Sequence, residues 1–239
     1  MNPARALWRF VRRQGRTARR VLRRAGARGA RAAGRPLALH VGCGNQRLEG
    51  WVNVDVQDLP AVDVVADVTR GLRFRDVDAV FAEHFLEHLP IEGALRFLGE
   101  VHRALAPDGR LRLTTPNLEW VWTTHYDLTA PPEQKQAMAL RVNRAFRAWG
   151  HEMVWNRALL EGALLACGFR DLSWHRHGES DVEIFRGIER HEAFGDTEEL
   201  PHVLVVEACK GEADPARLAA FRARVKAELL DHLGGEHDP

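Results

Sequence analysis

At 239 residues, with 45% apolar side chains, the chain is long enough for one large domain with a sizeable core, and its composition is that of a globular protein. The formal charge of +1 hides a split: residues 1–35 hold twelve arginines and no lysine, aspartate or glutamate, so the rest of the chain is net acidic. No run of about 18 apolar residues marks a transmembrane helix, no apolar core of a secretory signal opens the chain, and the widely spaced Cys43, Cys167 and Cys209 form neither a disulfide framework nor a metal-ligand pattern; the expectation is a cytoplasmic, reducing setting.

Taken in order, residues 1–35 carry a weak helical stripe (Leu7, Val11, Ala18, Val21, Leu22 and Ala25) that Gly15, Gly26 and Gly29 interrupt. The segment reads as a solvated basic extension, or as an amphipathic anchor giving peripheral contact with an anionic membrane face; no nucleic acid is expected as a partner. Residues 37–41 read as a strand ending in the turn Gly42-Cys43-Gly44. Second, third and fourth strands follow at 52–55, 62–66 and 78–82, ending on Asp55, Asp67 and Glu83-His84. Only eleven residues separate Gly44 from Asp55, so any helix crossing from the first strand to the second is very short.

Ile91, Leu95, Leu98, Val101, His102 and Leu105 keep one face of a helix over 91–105, and Pro107-Asp108-Gly109 is a turn that stops it before a fifth strand at 110–115. Residues 117–155 read as an insertion, with a helical stripe of Met138, Val142, Ala145, Phe146 and Trp149 after Pro131-Pro132. Asn156 caps a helix through Ala166, with Gly168 just past its end. Strands at 169–175 and 203–209 bracket a long charged loop at 175–201 that reads as a lid or binding loop. Asp214-Pro215 opens a last helix with Leu218, Phe221, Val225 and Leu229 on one face. The organisation expected is a basic extension over 1–35, a domain over 36–211 with its insertion at about 118–155, and a C-terminal helix and tail over 212–239.

Strands separated by helices predict an α/β fold, Rossmann-like and doubly wound, with a seven-stranded, mostly parallel sheet and helices on both faces. In such sheets ligands sit beyond the C-terminal strand ends, which here carry Gly42–Asn45, Asp55, Asp67, Glu83-His84 and Thr115–Asn117. A nicotinamide fingerprint needs a third glycine where Arg47 stands, and an acid about 20 residues on, so a nicotinamide-dependent oxidoreductase is disfavoured. Asp55 at a strand end has the chemistry to accept two ribose hydroxyls, or else to cap its own turn; Asp67 has the same two readings toward an adenine amino group.

"HVGCGN", "NVDV", "ADVTRGLRF", "AVFAEHFLEHLP" and "ALAPDGRLRLTTPN" together resemble the motifs of the class I S-adenosylmethionine-dependent methyltransferases, strongly over residues 37–117. The resemblance implies a seven-stranded sheet with an antiparallel last strand and S-adenosyl-L-methionine as cofactor. It implies that Gly42, Gly44 and Asn45 lie along the aminocarboxypropyl part, Asp55 and Val56 at the ribose, Asp67 and Val68 by the adenine, and Glu83 and His84 near the sulfonium. His40 departs from the pattern, standing where the family commonly carries an acid. For a hydroxyl acceptor a base is needed, and His84 is the first choice over His88, His125 and His151. The resemblance extends to methyltransferases of surface-glycan and lipid pathways, so the expected partner is a small-molecule, glycan or lipid-linked acceptor. A non-catalytic partner protein that binds the cofactor is the alternative. Trp120, Trp122, Tyr126, Trp149 and Trp155 either stack on such an acceptor or pack the insertion.

Overall fold

A computed structural model of the chain describes residues 36–191, 197 and 199–233. The basic arm read over 1–35 lies outside the described residues. The seven strands are β1 (Ala38–Val41), β2 (Val52–Asp55), β3 (Val64–Val65), β4 (Val77–Glu83), β5 (Leu105–Pro116), β6 (Phe169–His175) and β7 (Val203–Lys210). They form one sheet in the order β3-β2-β1-β4-β5-β7-β6. Strands β1 to β5 pair in parallel, and β7 runs antiparallel between β5 and β6. This is the expected Rossmann-like, doubly wound fold with a mixed seven-stranded sheet and flanking helices. Strand order reverses between β1 and β4, which brings the ends of these two strands side by side.

One sheet face carries Leu39, Val41, Val54, Val80, Leu111, Leu113 and Val206 in the main core. Helix α1 (Ile91–Ala104) lays Ile91, Leu95, Leu98 and Val101 into that core, each buried side chain contributing about 1.5–3 kcal/mol. Two helices, α2 (Leu118–His125) and α3 (Pro132–Arg147), form the insertion. Helix α2 had no periodicity to announce it; Asn117 starts it by accepting the Glu119 amide at 3.0 Å. The α3 stripe is real, but Met138, Val142 and Ala145 are only half buried and Phe146 and Trp149 are exposed. Helix α4 (Arg157–Ala166) is capped by Asn156, which accepts the Leu159 amide at 2.9 Å. Helix α5 (Pro215–Val225) is capped by Asp214, and Leu218, Phe221, Val225 and Leu229 meet the core as the pattern predicts.

The opposite face is largely polar yet buried. His40, Asn53, Glu83, Arg112, Thr114 and Glu207 lie there beside Ala38, Ala79 and Phe81. Leu48 and Trp51 of the β1–β2 connection cover it, together with Phe185 and Ile188 of the 176–202 loop. Its residues 182–191 therefore pack as a sheet cover, and none of the loop's described residues lines the principal cavity.

Two local expectations change. The β1–β2 connection contains no helix at all. The Asn53 side chain accepts the Leu48 amide at 2.9 Å and donates to the Leu48 and Trp51 carbonyls at 3.1 Å, satisfying an extended crossover that is too short to wind. Nor does Pro107-Asp108-Gly109 separate helix from strand. Strand β5 begins at Leu105, and the three residues form an irregularity between the Val77–Leu105 and Ala79–Arg110 pairs. Gly109 fits because a Cβ there would lie 2.7 Å from the Val77 carbonyl oxygen.

Asp63 ties the crossover to β2. Its Oδ2 accepts both the Asn53 amide and Asn53 Nδ2 at 3.0 Å, and Oδ1 accepts Arg47 Nη1 at 2.9 Å. Burial opposes ionisation, but these hydrogen bonds and the Arg47 charge outweigh it and hold the carboxyl below its ordinary 3.8. A carboxyl depressed in the folded state adds stability above its unfolded value, and that stability is lost as pH falls through the folded one. Asp63→Asn is therefore expected to lower the thermal midpoint at pH 7, and the gap to wild type should close below pH 3.8, as thermal unfolding across a pH series would read out.

Candidate active site

The cavity beyond the strand ends has a volume of about 1100 Å³. Gly42, Asp55, Val56, Asp67, Val68 and His84 all line it, so residues from four successive strand ends meet in one space. Gly42 has φ +68°, and an added Cβ would overlap the Phe85 ring. A glycine is needed here on both counts.

Asp55 is held by backbone. Its Oδ2 accepts the Gly44 amide and its Oδ1 the Gln57 amide, both at 2.8 Å. Each carboxylate oxygen has two lone pairs, so turn capping and ligand binding do not exclude one another at this residue. Asp67 is likewise in a turn: Oδ1 accepts the Thr69 amide at 3.1 Å and the Thr69 hydroxyl at 2.6 Å, while Oδ2 pairs with Arg70 Nε at 3.0 Å.

Gly44, Asn45 and Glu83 lie beside the cavity rather than in its wall. Gly44 acts through its hydrogen bond to Asp55, and Asn45 is exposed. The Glu83 carboxylate accepts the Arg190 amide at 3.0 Å and the His191 amide at 3.2 Å, which fastens the sheet-cover loop to the end of β4. His40 is turned to the polar sheet face. Its ring stacks on Phe81 with centroids 5.3 Å apart, and Nδ1 lies 3.2 Å from Asn53 Oδ1. Burial pushes its pKa down, so it is a neutral packing histidine outside the cavity wall.

His84, also on the cavity wall, sits at φ +46° directly after β4. Its Nδ1 is 3.0 Å from Oε1 of Glu87, whose Oε2 accepts the Thr115 hydroxyl at 3.1 Å. Burial would raise the Glu87 carboxyl, but the hydrogen bond from His84 and the other favourable contacts outweigh it and hold the pKa below its ordinary value. An ionised Glu87 only accepts, so Nδ1 of His84 bears a proton, and in the neutral imidazole Nε2 is then the acceptor. The His191 ring packs on His84 with centroids 4.2 Å apart.

The sequence reading passed over Glu87. Its signal was present as the three-residue step from His84 to Glu87, which brings the two side chains together across the turn Leu86–His88. His88 also lines the cavity. His151 lies against it, with ring centroids 5.2 Å apart. His125 contacts Trp120 and Thr124 outside the cavity wall. Of the five insertion aromatics only Trp149, 73% exposed, lines the cavity; Trp155 is core, and Trp122 stacks on Tyr126.

Residues 44–113 match the family described as "Methyltransferase domain". A comparison with curated protein sequences found no match. Solved structures similar to the chain include a methyltransferase domain of the citrinin polyketide synthase, 13% identical with a TM-score of 0.47, covering 75% of this chain and 48% of that one. The chain thus spans about half the length of that structure. A SAM-dependent methyltransferase from Archaeoglobus fulgidus is 16% identical with a TM-score of 0.48, covering 78% of this chain and 93% of the other. The 1,6-didemethyltoxoflavin-N1-methyltransferase of Burkholderia thailandensis is 17% identical with a TM-score of 0.43, covering 80% and 78%. The family match begins at Gly44 and takes in the acid-ended strands and the His84 turn, and Asp55, Asp67 and His84 within it line one cavity at the reversal of strand order: over residues 44–113 the chain is similar to the methyltransferase-domain family.

Proposed function

We propose that the protein transfers a methyl group from S-adenosyl-L-methionine to a hydroxyl of a sugar or of a lipid-linked glycan. The observation that carries this is the continuity of one cavity from the Asp55 and Asp67 strand ends to His84 and the insertion residues Arg147, Trp149 and Gly150. The residues present fit the cofactor. Asp55 retains acceptor lone pairs on the cavity side for the ribose hydroxyls, Gly42 admits close backbone approach, and Val56 and Val68 offer apolar walls beside Asp67 for the base. When bound, S-adenosylmethionine supplies a methyl carbon made electrophilic by its sulfonium.

The chain's own part is alignment and proton handling. His84, oriented by Glu87, presents Nε2 to take the proton of an acceptor hydroxyl as its oxygen attacks. Trp149 offers a ring face on which a sugar can lie. Arg96 and Arg147 on the cavity wall favour an acceptor bearing negative charge, as lipid-linked glycans do. The Asp55 carboxylate carries the cofactor-binding half of this reading. Asp55→Ala is expected to weaken S-adenosylhomocysteine binding about 10- to 150-fold, the loss of about 1.5–3 kcal/mol for hydrogen bonds to a charged group. Isothermal titration calorimetry measures it, and wild-type affinity in the variant would sink the assignment. Transfer of labelled methyl from the cofactor to a panel of glycans and lipid-linked saccharides tests the acceptor class.

A further inference from the structure

We infer that Glu87, His88 and His151 form a site for one divalent transition-metal ion of the zinc type, whose open coordination position faces the acceptor end of the cavity. A carboxylate oxygen of Glu87 and one ring nitrogen each of His88 and His151 all lie within 4.8 Å of one another. Donor atoms on a tetrahedral zinc ion stand about 3.4 Å apart, given bonds of about 2.0–2.1 Å. Closing the cluster on an ion takes side-chain movement of about 1 Å. Two imidazoles and one carboxylate are a ligand set of zinc sites that keep a fourth position for water or substrate.

The surroundings are already those of a ligand shell. His151 Nδ1 donates to the Ala145 carbonyl at 2.8 Å, which fixes its tautomer and leaves Nε2 for the cluster. The Glu152 and Met153 amides both bond to the Glu87 carbonyl, at 2.8 and 3.2 Å, and pin the His151 segment to the turn bearing Glu87 and His88. His84 and Thr115 hold the two Glu87 oxygens. Each oxygen keeps a further lone pair, so orienting His84 and ligating an ion are compatible. His88, Gly150 and Glu152 line the cavity, so the ion would be reached from the same space as the acceptor. Taken with the methyltransferase reading, on which this half rests, the ion selects an acceptor that offers an oxygen ligand beside the hydroxyl to be methylated.

The test uses the full chain after dialysis against a chelator. Zn²⁺ is titrated calorimetrically, and Co²⁺ uptake is followed by its visible absorption. One tight equivalent is expected. His88→Ala and His151→Ala should each weaken it by about 100-fold or more, exceeding the 10- to 100-fold cost of losing an outer-shell partner, while His125→Ala binds as wild type. S-adenosylhomocysteine affinity, measured on every variant, reports that the cavity is folded. Cofactor binding without a Zn²⁺ equivalent overturns the metal site alone, as does a Zn²⁺ equivalent that survives in His88→Ala/His151→Ala. Zn²⁺ binding lost in both variants, in a chain that never binds the cofactor, upholds the site and overturns the methyltransferase reading instead.

Discussion

Replacing His84 by alanine is expected to lower kcat for methyl transfer by about 100- to 10,000-fold, the range that a positioned general base supplies, with S-adenosylhomocysteine affinity unchanged. The separation follows from where the side chain sits. His84 reaches the cavity from the end of β4, whereas the Asp55 carboxylate is held from the β1 turn and the start of the β2–β3 connection. The 3.0 Å contact between Nδ1 and Glu87 sets the imidazole tautomer, so Glu87→Gln should lower kcat as well. Its glutamine keeps the volume but can present an amide where Nδ1–H needs an acceptor. Steady-state kinetics on a hydroxyl acceptor identified by labelled methyl transfer would decide. Full kcat in His84→Ala would remove it from the chemistry and leave the 4.2 Å packing on His191 as its role.

Arg112→Ala is expected to destabilise the fold by about 3–5 kcal/mol, the cost of breaking a buried ion pair by removing one partner. Arg112 is fully buried in the middle of β5 and pairs with both Glu189 and Glu207, each at 2.5 Å. Glu207 comes from the neighbouring strand and Glu189 from the sheet-cover loop. Removing the guanidinium leaves two buried carboxylates without their arginine, with His175 Nε2 3.6 Å from Glu207. The same loop bonds to Glu83 through the Arg190 and His191 amides, so its loosening would reach the wall beside His84. Urea unfolding should show a lower midpoint with an unchanged slope. Arg112→Met combined with Glu189→Leu and Glu207→Met should recover much of the loss, because an apolar replacement of the whole cluster leaves no charge to desolvate. A single variant as stable as wild type would mean that the carboxylates find water.

Most of the fold is written in short-range pattern. Residues 37–41, 52–55 and 78–82 are apolar runs bounded by glycine, acid or turn residues, and they become β1, β2 and β4. Asn156 and Asp214 sit before apolar stripes and cap α4 and α5 by the hydrogen bonds that such residues make. The glycine turn and the short step to Asp55 weighed against a nicotinamide cofactor, because local spacing dictates which strand ends the chain can place together. Boundaries were harder to read. Pro107-Asp108-Gly109 looks like a stop, yet the pull of a parallel partner keeps the chain paired from Leu105 onward.

What the sequence by itself determined is the set of strand ends, their glycine and acidic residues, and hence the order of one half of the cavity. Those features depend on contacts within a few residues. The tertiary structure alone decided the rest. It turned His40 onto the polar sheet face, where burial keeps it neutral against Phe81 and Asn53. It laid residues 182–191 of the charged loop on the sheet, because Arg112 needs Glu189 and Phe185 needs an apolar neighbour. It also tied the local His84–Glu87 pair to Thr115 in one hydrogen-bonded group, and brought His151 up to His88 from more than sixty residues away. Contacts of that separation cost chain entropy that only the completed core offsets, so no local pattern announces them.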